Sequence, residues 1–211
     1  MNEYWTFGLL AVTSFFTLIN PLGVMPIFMT ITSDLSPDQR KKTARKATIV
    51  SFFTLVAFAF SGQLLFNFFG ISVNSLKVVG GIIFFIMGQD MLQARLSKIK
   101  VSEGEIQEYV NDVSITPLAI PMICGPGAIT NGIVLMESAN GINMMIILVA
   151  SILIICLATY LILWGSSRIT NFLGDTGNKI LMRLMGLIVM VIAVEFFFSG
   201  LKPIIRNILR I

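Results

Sequence analysis

Most charged residues in this chain gather in or beside short connecting stretches, and the intervals between those stretches are apolar and long. From about Ile142 to Trp164, for example, no acid or base occurs. A water-solvated surface cannot be built from such intervals. Soluble domains carry about 25% charged residues, whereas this chain carries 12%, with 55% hydrophobic residues. It also lacks the Pro, Ser and Glu bias of disordered segments. At about 20 residues per helical span, 211 residues leave room for roughly six spans and none for a separate soluble domain. The expected fold class is all-α: a polytopic membrane protein of about six transmembrane helices, with residues 1–211 forming a single transmembrane domain.

Absences narrow the chemistry. The chain contains no His, which removes Ser–His and Cys–His catalysis, His-ligated zinc or haem, and imidazole proton relays. Cys124 and Cys156 lie in apolar stretches without C-x-x-C spacing and read as small buried hydrophobes. Gly88-Gln89-Asp90 has a glycine–aspartate pattern like that of intramembrane aspartyl proteases. Those sites need a second facing Asp, for which Glu195 is a poor substitute. Neither enzymatic activity, nor a metal or other cofactor, nor nucleic-acid binding is expected. The start, Met1-Asn2-Glu3-Tyr4-Trp5, has no basic n-region and is expected to insert as a first helix rather than act as a cleaved signal.

Six spans are expected, at about Tyr4–Thr32, Ala44–Phe69, Ser75–Gln93, Asp112–Glu137, Ile142–Trp164 and Asn178–Gly200. Residues 201–211 read as an amphipathic interfacial tail. The loops after the first, third and fifth spans carry eleven of the fifteen Lys and Arg residues. The positive-inside rule then places those loops in the cytoplasm and both termini outside.

Shifting the chain by 105 residues superimposes Pro21 on Pro126, Thr54 on Thr159, Ser61 on Ser166, Gly81 on Gly186 and Asp90 on Glu195, without a gap. Each half, 4–95 and 109–200, then holds three spans. An odd number of crossings turns the second half upside down, which is the inverted-repeat plan of many secondary transporters.

Five of the seven prolines fall in the first and fourth spans: Pro21 and Pro26, then Pro117, Pro121 and Pro126. Proline removes a donor from a helix, and a neighbouring Gly eases departure from helical geometry. In lipid such breaks are tolerated only where protein or a wet cavity satisfies the freed groups. Matching breaks in two halves therefore mark a transporter binding site. At 1.5 Å per residue, Asn20-Pro21 lies roughly 23 Å into its span and Gly125-Pro126 roughly 20 Å into its own. Both depths are near the middle of a tilted crossing. The half-helices after the breaks would aim N–H groups at that level, and those before would aim carbonyls. That pairing suits a zwitterion. The nearby side chains are small and neutral: Thr13, Ser14, Thr17, Asn20 and Gly23 in one half, Gly125, Gly127, Thr130 and Asn131 in the other. Close helix packing is the competing use of such residues.

Asp90 and Glu195 are ionisable groups within spans, and by default these suggest an ion or proton path. The shift places them as mirrored gating or coupling carboxylates. Each also lies near a span end, where interfacial water or a loop base such as Arg95 would satisfy it.

Several runs together resemble the MarC family of membrane proteins. They are Asn20-Pro21-Leu22-Gly23-Val24-Met25-Pro26-Ile27-Phe28 followed by Ser36-Pro37, then Gly80-Gly81-Ile82-Ile83-Phe84-Phe85, Thr116-Pro117-Leu118-Ala119-Ile120-Pro121 and Gly125-Pro126-Gly127-Ala128-Ile129. The resemblance spans the whole chain. It implies a six-helix protein of a bacterial or archaeal inner membrane, grouped with the LysE transporter superfamily. It also implies transport of small neutral amino acids such as glycine and alanine, and it points to Asn20, Pro21, Gly23, Gly125, Pro126 and Gly127.

Together these features predict a secondary transporter of a small neutral zwitterion. Its substrate site would comprise Asn20, Pro21, Gly23, Gly125, Pro126, Gly127, Thr130 and Asn131, with Asp90 and Glu195 as gating or coupling groups. Efflux of an apolar drug-like solute, through a larger cavity with Met25 and Met122 in its lining, and a non-transporting membrane scaffold are the alternatives. The coupling ion, H+ or Na+, and any homo-oligomeric state are left open.

Overall fold

The computed structural model of the chain describes residues 3–33, 35–93 and 106–209. Among these residues all the regular structure is helical, with no strand. Helix α1 (Glu3–Ile19) and α2 (Pro21–Ile31) follow one another as one apolar span. Helix α3 (Pro37–Phe69) is the second span and α4 (Val73–Leu92) the third. A short α5 (Ile106–Val113) leads into an unwound stretch, Ser114–Ile123, and then α6 (Pro126–Ser138). The helical run Ile142–Leu209 turns at Gly174, whose φ of 62° and ψ of −178° fall in a region open essentially to Gly alone. Its two apolar parts are α7 (Ile142–Ser166) and α8 (Lys179–Leu209).

Five of these segments are long and apolar enough to cross a bilayer, and the count rises to six when the pair Glu108–Ile123 and Pro126–Ser138, bent by 59° at its break, is taken as one span. The protein is thus an all-α polytopic membrane protein. Its outward faces carry large apolar side chains such as Phe53, Leu64, Phe68, Ile142 and Ile146, as a lipid-facing surface requires. Tyr4 and Trp5 stand at one end of the bundle's first span and Trp164 near the end of α7, in the manner of interfacial aromatics.

Helix boundaries follow local chemistry. Ser36 and Gln39 form a reciprocal capping box, with Pro37 in the first helical position. Helix α3 therefore begins before the basic residues, not at about Ala44. Its 33 residues extend about 50 Å, so the basic first turns project beyond a core about 30 Å thick. Gly70, at φ 64°, closes the other end. Helix α8 likewise runs past Gly200 through Pro203 to Leu209, so residues 201–209 continue that helix without a break.

Small residues set the tightest packing. A Cβ on Gly81 would lie 2.7 Å from the Ala193 carbonyl oxygen and from the Phe197 nitrogen. One on Gly88 would lie 2.8 Å from the Gly186 carbonyl oxygen, and one on Gly186 would lie 2.8 Å from that of Gly88. The backbones of α4 and α8 thus touch along an antiparallel seam, the close approach that small residues permit in membranes. In the interior, Pro21 and the run Gly23–Met29 of α2 are buried, alongside Ala11, Phe15 and Ile19 of α1. Cys124 and Cys156 are buried and free.

Candidate functional site

The first break is made by one residue. Asn20 adopts the left-handed conformation, φ 47° and ψ 65°, which Asn tolerates better than other residues with a Cβ. Its N–H donates to the Phe16 carbonyl (3.0 Å), ending α1. Its carbonyl accepts from Gly23 (2.9 Å) and Val24 (3.1 Å), starting α2. Its side-chain Oδ1 also accepts from the Gly23 N–H at 3.2 Å. Pro21 occupies the first helical position, where a missing N–H costs nothing. The expectation that this half-helix aims unpaired N–H groups into the membrane is therefore met only in part, because Asn20 engages those of Gly23 and Val24.

The second break is wider than the sequence suggests. It extends over Ser114–Ile123 and is not confined to Cys124–Gly127. Thr116 (φ −126°, ψ 120°) and Ile120 (φ −125°, ψ 121°) are extended, because each precedes a proline and the ring disfavours helical geometry there. Both bonds, Thr116–Pro117 and Ile120–Pro121, are cis. Gly125 is extended and no side chain caps α6. Among the described residues, the N–H groups of Gly127 and Ala128 find no acceptor. Thr130 lies one turn further on and is 5% exposed. Its Oγ1 is the one buried side-chain polar atom without a partner among the described residues.

Helices α4 and α8 close over this second break. A Cβ on Gly80 would overlap the Pro126 ring, and one on Gly125 would lie 2.6 Å from Phe84 Cζ. One on Gly127 would lie 2.5 Å from Phe196 Cζ and 3.2 Å from Leu18 Cδ2. The rings of Phe84 and Phe196 stand 6.5 Å apart. Phe196 was not legible as a site neighbour in the sequence. Phe84 belongs to the Gly80–Phe85 run, and its spacing of four from Gly80 puts both on one helix face.

A cleft of about 50 Å³ adjoins the first break. Thr17, Asn20 and Gly23 line it from the first span, Phe84, Met87 and Met91 from α4, Met122 from the unwound stretch, and Val189 and Ile192 from α8. No charged side chain lines it. Of the residues expected at the second break, none lines this cleft directly. Gly125 reaches it through Phe84, and Gly127 through Leu18. Asn131 ties the two halves together, donating from Nδ2 to Ser14 Oγ at 3.0 Å. Thr13 and Thr17 turn their hydroxyls back onto the helix, to the Leu9 and Thr13 carbonyls. Met25 is buried in the core.

The two carboxylates lie apart from this cleft. Asp90 is half-buried beside Met91, a lining residue, and Glu195 is exposed on α8 next to Val194. Among the described residues neither has an ion-pair partner. Arg95, the expected partner of Asp90, lies outside the described residues. Among the described residues no cluster of His, Cys, Asp and Glu is arranged to hold a metal ion.

An all-helical bundle of apolar, bilayer-length helices with proline breaks, and a small uncharged cleft beside one of them, defines a polytopic integral membrane protein. Residues 5–205 match the model of the MarC family integral membrane proteins. The chain is 39% identical over 197 residues to a UPF0056 membrane protein of Pyrococcus abyssi, covering 93% of this chain and 94% of that one. It is 38% identical over 192 residues to the UPF0056 membrane protein YvbG of Bacillus subtilis, covering 90% and 91%. A UPF0056 membrane protein of Aquifex aeolicus is 31% identical over 206 residues. The chain belongs to the MarC family, whose members occur in bacteria and archaea. No solved structure matches it.

Proposed function

We propose that this protein is a secondary transporter of small neutral amino acids, glycine and alanine foremost, working by alternating access in a cytoplasmic membrane. The observation that carries this reading is the cleft at Asn20. It is small, and it holds a neutral amide and a hydroxyl but no charge. A drug-sized ligand needs a pocket of about 300–1,000 Å³, against about 50 Å³ here. The second break supplies a complementary feature. The N–H groups of Gly127 and Ala128 are uncapped and the Thr130 hydroxyl is unpartnered among the described residues; they do not line this cleft, and in this reading they meet a carboxylate only once alternating access uncovers the second break.

The inverted repeat belongs to the same proposal, and the α4–α8 seam supports it. Gly81 meets Ala193 while Gly88 meets Gly186. Under the 105-residue shift, Gly81 maps to Gly186 and Gly88 to Ala193, so each contact becomes the other. Such exchange is what a two-fold axis imposes on the residues beside it. Asp90 and Glu195 take gating or coupling roles in this scheme, with H+ or Na+ as the coupling ion and both termini outside.

The lining by Phe84, Met87, Met91 and Met122 favours a second reading, efflux of an apolar solute. The volume argues against it.

Counterflow of labelled glycine and alanine in proteoliposomes tests the proposal, with Na+ and buffer supplied equally on both sides. Exchange by the native protein, lost in folded Asn20→Gly, is the expected outcome. Absence of exchange by well-folded native protein overturns the amino-acid reading and leaves the apolar-solute and scaffold alternatives.

A further inference from the structure

The basic residues at the start of α3 divide into two groups by what they touch. Arg40 is engaged within the protein. Its guanidinium donates to the carbonyls of Thr32 (2.8 Å), Leu35 (3.1 Å) and Ser33 (2.6 Å), satisfying acceptors at and beyond the end of α2. Lys46 donates to Asn111 Oδ1 at 2.7 Å. Lys41 and Arg45 do neither. They stand one turn apart on one face of α3 and are exposed. Among the described residues no carboxylate pairs with either.

Both line the end of a groove of about 370 Å³ between α3 and α7. Its polar members are Lys41, Arg45, Thr48 and Tyr160, and the remainder is apolar, Phe52 and Leu157 among them. Lys41 Nζ lies 5.7 Å from the centre of the Trp164 ring, an aromatic of the kind that marks the membrane interface. The Tyr160 hydroxyl has no hydrogen bond among the described residues. From Lys41 to Phe53, also in the lining, the groove follows α3 for about 18 Å. That is a little over half of a hydrocarbon core about 30 Å thick, the depth of one leaflet.

We propose that this groove binds one anionic phospholipid, with its phosphate between Lys41 and Arg45 and an acyl chain along Phe52 and Leu157. Charge complementarity selects the occupant. Two cations with no carboxylate beside them among the described residues attract a net-negative lipid and gain little from a zwitterionic one, whose own cation they repel. Basic pockets between spans are recognised lipid sites for this reason. Two such cations correspond to roughly a thirty-fold preference for the anionic headgroup.

The test uses the full chain in detergent, with phosphatidylglycerol, phosphatidylcholine or inorganic phosphate added, read by native mass spectrometry and by the unfolding temperature. Phosphatidylglycerol is expected to stay bound and to raise the unfolding temperature, with phosphatidylcholine and phosphate far weaker. The double variant Lys41→Ala/Arg45→Ala should lose about thirty-fold in phosphatidylglycerol affinity, while Lys42→Ala should not change it. Leu157→Trp fills the groove with both cations intact and should also abolish binding. It decides the matter if the double variant fails to fold. Equal retention of phosphatidylglycerol by the native chain and either groove variant overturns the proposal. So does a native chain that prefers neither lipid, or one stabilised as well by phosphate alone.

Discussion

Asn20 and Gly23 are fitted to one another across the first break. The Asn20 amide oxygen accepts from the Gly23 N–H at 3.2 Å, and a Cβ on Gly23 would lie 2.5 Å from the amide nitrogen. The left-handed residue that breaks the helix thus needs a glycine three residues on to make room for its own cap. Gly23→Ala should cost about 0.5–2 kcal/mol, the range for a lost N-cap, because the Asn20 amide can swing aside but gives up its hydrogen bond. It should also displace the amide from the cleft. Thermal unfolding in detergent checks the first expectation.

Substitutions at Asn20 separate backbone from chemistry. Asn20→Gly keeps the left-handed conformation at no steric cost and loses the cap for a few tenths of a kcal/mol. Asn20→Ala adds left-handed strain of about 1–2 kcal/mol to a lost cap of about 1 kcal/mol. Unfolding should rank native, then Gly, then Ala, while counterflow should be lost in both variants.

Thr130 should show opposite signs for stability and transport. Its hydroxyl is buried without a partner. Thr130→Val removes that desolvated group, so stability should be unchanged or raised by up to about 1–3 kcal/mol. If the hydroxyl is held ready for solute, the same variant loses exchange and Thr130→Ser retains it. Paired melting and counterflow measurements decide this, and normal exchange by Thr130→Val removes the hydroxyl from the site.

The α4–α8 seam predicts which glycines tolerate a methyl group. Gly81→Ala and Gly186→Ala press a Cβ against backbone, which cannot rotate away. Each should therefore cost about 1–3 kcal/mol. Gly165, in α7, has open space at the same position. Gly165→Ala should be neutral or stabilising by up to about 1 kcal/mol. Reversible unfolding in mixed detergent would rank the three.

Ser14 and Asn131 join α1 to α6 through one hydrogen bond of 3.0 Å. A double-mutant cycle with Ser14→Ala and Asn131→Ala should give a coupling of about 0.6 kcal/mol, with about 1.7 as the upper range for membrane helices. Zero coupling would mean that the contact contributes no net stability.

The second break shows why part of the site was not legible. Pro117, Pro121 and Pro126 announce a broken span, but not that the helix unwinds from Ser114 onward. How far unwinding spreads depends on whether neighbours satisfy the freed backbone. Gly80, Phe84 and Phe196 approach from distant parts of the chain, and no local pattern pairs them with Gly125 and Gly127. The sorting of Arg40 and Lys46 from Lys41 and Arg45 was equally hidden, since all read alike as loop charge.

By itself the sequence determined the solvent and the spans. Apolar stretches of bilayer length have one stable home, and in lipid the backbone must satisfy itself as helix. It also determined where helices must break, because proline lacks the donor a helix needs. Tertiary structure alone decided what those breaks face. Asn20 reaches a cleft completed by Met87, Met122 and Val189, whereas Gly127 is covered by Phe196. A cleft is space left between helices distant in sequence, so its size and lining depend on how close glycines such as Gly81 and Gly186 let those helices come.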